Sequence, residues 1–306
     1  MIGILINKIL SMALMMLIGA ILVKCKILKS DDSRILSALS LYVIMPCVIL
    51  TSFQVDFTAE VRSGLLLALA AAVIIHIALI LLNILLEKTL HLDAVEQTSI
   101  IYSNAGNLIV PLVTALLGKD WVIYSCAFLC VQMILLWSHG KTVLCGEKGI
   151  DIKKIATNIN MIAICIGSAL LLTGLRFPSI IGDTMESISG MVGPVAMFIT
   201  GMIIGGHGVK ALIQNRRLWL TTVFHLIVIP LFALAFLKFS GIAQTIPNGS
   251  EVLLVTFLAV ITPSASTITQ LAQMYGQDAD YAGSINVLTT ILCIITMPAM
   301  VALYQL

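Results

Sequence analysis

The sequence predicts an all-α polytopic membrane protein, with ten transmembrane helices in two inverted five-helix repeats and broken, crossing helices 4 and 9. Three observations carry the prediction. Of 306 residues, 59% are hydrophobic and only 10% charged, with a mean hydropathy of +1.09. Soluble domains carry about 25% charged residues, and a soluble chain this apolar could not cover its surface. Ten apolar stretches approach the roughly 20 residues that a span needs. Two of them, in different halves of the chain, are interrupted by polar residues and proline: Tyr102–Pro111 and Thr262–Thr267.

In chain order, helix 1 is expected near 4–23, helix 2 near 35–53 and helix 3 near 64–86. Helix 4 runs near 95–117 with its break, and helix 5 near 121–138. Helices 6, 7 and 8 follow near 156–175, 185–205 and 217–238. Helix 9, the second broken one, lies near 251–274, and helix 10 near 281–304. The first apolar stretch is followed by Lys24, Lys26, Lys29 and Arg34, and no small-x-small site precedes them, so a retained span is expected there and not a cleaved leader. The units are then 1–138, a connecting loop over 139–155, and 156–306.

Orientation is read from Lys and Arg in the loops. Twelve fall on the side of the 139–155 loop, including Lys141, Lys148, Lys153 and Lys154. Five fall on the other: Lys8, Arg62, Lys119, Arg176 and Lys238. This asymmetry places the loop in the cytoplasm and both termini outside. An odd number of spans inverts the second unit relative to the first, and landmarks recur at about half the chain length. Pro46 and Pro194 are 148 apart, His76 and His225 are 149 apart, and Pro111 and Pro263 are 152 apart.

The breaks carry the candidate site. In lipid, every backbone N–H and C=O must be satisfied within the protein, so a broken helix is tolerated only where it is buried or lines a wet cavity. Paired breaks are the sequence mark of a transporter's binding site. Asn104, Gly106, Asn107 and Pro111 are expected to form its helix-4 side, and Thr262, Pro263 and Ser264 its helix-9 side. Half-helix N-termini present partial positive charge there, which suits a carboxylate without any buried Lys or Arg. Second-rank cavity candidates are Pro46, Gln132, Pro194, Gln270, Asn286 and Thr290; taken alone, each proline is favoured as a kink and each of the others as an interhelical bond. His76 and His225 lie well inside spans, where a neutral, bonded histidine is favoured over a proton relay. Gly201-x-x-x-Gly205 offers close helix packing.

Seven scattered cysteines form no CxxC or Cys/His cluster, so no metal and no cofactor is expected. Neither paired span aspartates, a Ser/His pair nor HExxH is visible, so the chain does not read as an enzyme. Nothing suggests nucleic-acid binding. The partners expected are the lipid bilayer and a small-molecule organic anion.

The segment Ser103-Asn104-Ala105-Gly106-Asn107 with Pro111-Leu112 resembles the helix-4 signature of the auxin efflux carrier family. Thr262-Pro263-Ser264-Ala265 with Ala272–Asp278 is similar to its C-terminal signature, and Leu41–Pro46 to its helix-2 proline segment. The resemblance covers essentially the whole chain and favours a short, bacterial-type permease. It implies a fold similar to bile-acid and sodium/proton transporters. It further implies a scaffold of helices 1, 2, 6 and 7, a transport domain of helices 3–5 and 8–10, and a homodimer. The helix-9 break departs from the family pattern in having no Asn, which points away from auxin itself. The function expected is secondary transport of a mono- or dicarboxylate, in a plasma membrane (bacterial inner membrane), by elevator-type alternating access. The rivals are a sodium- or proton-coupled symporter on the same fold and a membrane sensor or structural protein.

Overall fold

The computed structural model describes residues 2–146, 152–206 and 215–306; of residues 2–6, 8, 9, 107 and 273 it describes the backbone alone. The described chain is helical, apart from a single pair of bridged residues. We number the helical elements α1 (Ile2–Lys24), α2 (Ser30–Ser52), α3 (Ala59–Leu90), α4 (Ala94–Ile101), α5 (Ala105–Leu116), α6 (Lys119–Cys145) and α7 (Ile152–Ala156). There follow α8 (Ile159–Thr173), α9 (Ser179–Gly206), α10 (Arg216–Phe239), α11 (Gly249–Val260), α12 (Ser266–Met274) and α13 (Ala279–Gln305). Six of them, α2, α3, α6, α9, α10 and α13, are long and apolar enough to cross a membrane. The other four expected spans fall on α1, on α8 and on the pairs α4/α5 and α11/α12.

Local chemistry sets the boundaries. Thr58 caps α3, its hydroxyl accepting the Val61 N–H, and α3 ends at His91 in a left-handed conformation. Asp93 and Glu96 form a reciprocal capping box that starts α4. Asn158 and Asn215 cap α8 and α10. Helix α6 continues to Cys145, seven residues past the end expected at Ser138, where a π-helical turn at Leu136–Gly140 carries the chain across Ser138-His139-Gly140. Two further π turns precede prolines: Ser40–Ile44 before Pro46, and Phe224–Val228 before Pro230. A proline supplies no N–H, and a widened turn lets the ladder continue around the missing donor.

Helix α1 packs on α9 through glycines. A Cβ on Gly19 would approach the Phe198 carbonyl to 2.8 Å, and one on Gly205 the Ala20 carbonyl to 2.7 Å. One on Gly201 would overlap the Met16 carbonyl oxygen. The close packing expected of Gly201-x-x-x-Gly205 is therefore present, with α1 as the partner. The core is densest around α4, α6 and α11, where Ile100, Tyr102, Ile123, Leu253 and Phe257 are fully buried.

Candidate functional site

The two breaks meet. Helix α4 ends at Ile101 and α5 begins at Ala105; α11 ends at Val260 and α12 begins at Ser266. Ser103 and Ser264 pair as an antiparallel bridge. The Asn104 N–H donates to the Pro263 carbonyl at 2.6 Å, and the Ala265 N–H donates to the Tyr102 carbonyl at 2.9 Å. Each break thus answers the backbone groups that the other leaves open, as a hydrocarbon surrounding requires.

Side chains complete the accounting. Gln132 on α6 acts as a third strand: its amide nitrogen donates to the Ser103 carbonyl at 2.9 Å and its oxygen accepts the Ser103 N–H and hydroxyl. On α13, Asn286 donates to the Ser264 carbonyl at 2.5 Å, and the Thr289 hydroxyl accepts the Ser264 N–H at 3.2 Å. His225, on the π turn of α10, reaches both breaks: Nδ1 lies 3.0 Å from the Ile100 carbonyl oxygen and Nε2 2.9 Å from that of Thr262. The Ser264 hydroxyl is buried at the crossing with no hydrogen-bond partner.

The break in helix 4 occupies Tyr102–Asn104, the start of the Tyr102–Pro111 stretch marked in the sequence, and not its proline. Pro111 lies inside α5, which runs on to Leu116. A proline removes one bond of the ladder, whereas at three successive residues the backbone turns away from its own helix: the Tyr102 carbonyl and the Asn104 N–H to the other break, and both Ser103 groups to Gln132. Asn104 is the N-cap of α5, Gly106 lies in its first turn, and the Asn107 side chain falls outside the described residues. Thr262, Pro263 and Ser264 all lie in the second break. Thr290 bonds the Asn286 carbonyl of its own helix, and Gln270 is exposed on α12. Pro46 sits just after the π turn of α2.

A cavity of about 630 Å³ opens between α2, α5 and α9; of the candidate site residues Pro111 and Pro194 line it, whereas Asn104, Gly106, Thr262, Pro263 and Ser264 do not. Val48 and Thr51, Pro111 and Thr114, and Gly193 and Pro194 face it from the three helices. Its inner end at Pro111 lies about 9 Å along α5 from Ala105, at 1.5 Å rise per residue. A Cβ on Gly193 would stand 3.2 Å from the Pro111 Cβ, so α9 and α5 touch there backbone to ring. At the mouth, Lys119 pairs with Glu186, and Arg176 with Asp56 at 2.6 Å. Asp120 and Asp183 line it as well, so its mouth carries no surplus of positive charge.

Two clusters at the opposite end were not anticipated. Glu96, fully buried, accepts the Arg217 guanidinium through both oxygens at 2.9 and 2.6 Å, the Tyr281 hydroxyl at 2.9 Å and the Asp93 N–H at 2.9 Å. Burial and the neighbouring Glu96 charge raise the Asp93 carboxyl above its ordinary range, against the backbone N–H groups and Arg217 that lower it. The Asp93-x-x-Glu96 spacing was a readable capping signal; that Arg217 would return to it from 121 residues away was not. Lys154 lies over the rings of Trp137 and Tyr275, at 5.0 and 5.6 Å from their centroids, and bonds the Tyr275 hydroxyl at 3.3 Å.

Apolar helices surrounding two mutually bonded breaks define a multi-pass membrane protein of the transporter class. Comparison with protein families agrees, with matches over residues 4–153 and 147–301 to a family described as "Membrane transport protein". The chain belongs to this family, that of the auxin efflux carriers and PIN-like proteins. No curated protein is similar enough to the chain to be matched with it.

Proposed function

We propose that the chain is a secondary carrier of a small organic anion. A body built around the two breaks (α3–α6 and α10–α13) slides against a scaffold of α1, α2, α8 and α9 in elevator-type alternating access. The observation that carries this reading is the backbone bridge between the breaks. It holds the N-termini of α5 and α12 near one another. Helix N-termini with open N–H groups suit a carboxylate. The cavity between α2, α5 and α9 leads toward that point along the boundary between the proposed bodies. Lys119 and Arg176 are already paired at its mouth, so the attraction for an anion rests on the backbone further in.

The binding residues of this reading are Asn104, Gly106, Asn107, Pro111, Thr262, Pro263 and Ser264. The carrier resides in a plasma membrane with both termini outside and pairs as a homodimer through its scaffold. Thermal stability of the purified protein, titrated with acetate, succinate and indole-3-acetate, tests the site. The expected result is a rise in melting temperature with at least one acid that is lost in Asn107→Ala. A rise that survives the substitution removes the site from the crossing, and no rise with any carboxylate removes the organic-anion reading.

A further inference from the structure

The two repeat-related histidines differ in their surroundings. His76 bonds the Ala72 carbonyl of its own helix through Nδ1 at 2.8 Å, packs on Phe128 and leaves Nε2 without a partner. One N–H satisfies that arrangement, and a neutral ring provides one. His225 faces a carbonyl oxygen with each nitrogen. Carbonyls only accept, and a neutral imidazole has only one N–H to give. A neutral ring would therefore set a lone pair against one of the two oxygens, at 1% exposure and with no water in the surrounding hydrocarbon.

We propose that His225 is held doubly protonated, as an imidazolium that clamps the two breaks together and supplies the buried positive charge behind the crossing. A buried cation is costly unless its donors are satisfied. Here both N–H groups are satisfied, and by carbonyls at the C-terminal ends of two half-helices, α4 and α11, where the helix dipole is negative. Burial is the largest influence on the ring and opposes its charge; the backbones of Thr262, Ile100, Pro263 and Ser99 act in the charge's favour. The ionisable side chains on packed elements are engaged or distant. Glu96 on α4, Arg217 on its own helix and Tyr281 on α13 bond one another, Cys293 bonds the Thr290 carbonyl, and Asp280 is exposed. Losing the proton releases one carbonyl and frees one break from the clamp, so the crossing becomes sensitive to alkali. That this charge also draws an organic anion rests on the carrier reading above.

Solid-state NMR of the wild-type protein in lipid bilayers, with no ligand, tests the proposal. The histidine rings carry ¹⁵N, and the isoleucine and threonine carbonyls carry ¹³C. The expected result at pH 7 is one ring with both nitrogens protonated, Nδ1 coupled to an isoleucine carbonyl and Nε2 to a threonine carbonyl. A ring with those couplings and one bare nitrogen overturns the proposal, as does finding no ring coupled to both carbonyls. The readout needs neither substrate nor substitution, so it stands or falls separately from the carboxylate titration.

Discussion

Gln132 and Glu96 show how much single residues carry where water is excluded. Replacing Gln132 by Leu strips the Ser103 N–H and carbonyl of their partners. Each buried backbone group left unpaired costs about 1–3 kcal/mol. Gln132→Leu is therefore expected to lower the melting temperature clearly, whereas Thr290→Val, which removes a bond within α13, has a small effect. Arg217→Ala leaves the buried Glu96 carboxylate without its cation, and breaking such a pair costs about 3 kcal/mol. Adding Glu96→Gln is expected to recover part of the loss, because a neutral amide in that place needs no counter-charge; denaturation of the three proteins in detergent checks the order. At this scale the sequence was informative in part. Asn104 and Ser264 stood out as polar residues within an apolar run, and both lie at the crossing. Gln132, Asn286 and His225 read more readily as ordinary interhelical bonds, because their partners are backbone carbonyls and N–H groups from distant parts of the chain, which no spacing encodes.

Between helices, two contacts bear on the movement that the carrier reading proposes. Gly193 lets α9 pass against the Pro111 ring, and a Cβ there would stand 3.2 Å from the ring carbon. On the carrier reading, Gly193→Val is expected to hold the bodies apart or fix them in one position. Spin labels on α2 and α5 would then report one narrow distance where the wild type samples more. On the other side of the molecule, Lys154 of α7 rests against Trp137 of α6 and Tyr275 just past α12, a cation–π contact of about 0.5–2 kcal/mol. Lys154→Ala is expected to weaken that closure and shift the distribution between labels at Thr157 and Gln277 toward longer distances. Most helices could be placed from hydropathy, within a few residues. The break in helix 4 was drawn too wide, out to Pro111, because proline is the loudest local signal. What ends α4 is the tertiary pairing of Ser103 with Ser264, invisible to a local reading.

Across the whole molecule, the proposed orientation in the membrane makes a prediction from the charged ends. Lys119, Arg176 and the cavity mouth lie at one end, and Lys153 and Lys154 at the other. Cysteine substituted at Lys119 is expected to react with an impermeant maleimide on intact cells, and cysteine at Lys153 only after the membrane is opened. The reverse pattern would invert the assigned topology. The bridge between the breaks has a consequence for how such a chain diversifies. Its bonds run through peptide groups, and any residue but proline can supply the donor at Asn104 or Ala265, while any residue at all can supply the acceptor at Tyr102 or Pro263. The joint is thus largely indifferent to the side chains it displays. If the crossing binds the cargo as proposed, substitutions there alter which molecule is recognised while the architecture that presents them stays the same, so chemical selectivity and structural integrity are inherited on separate parts of the same few residues.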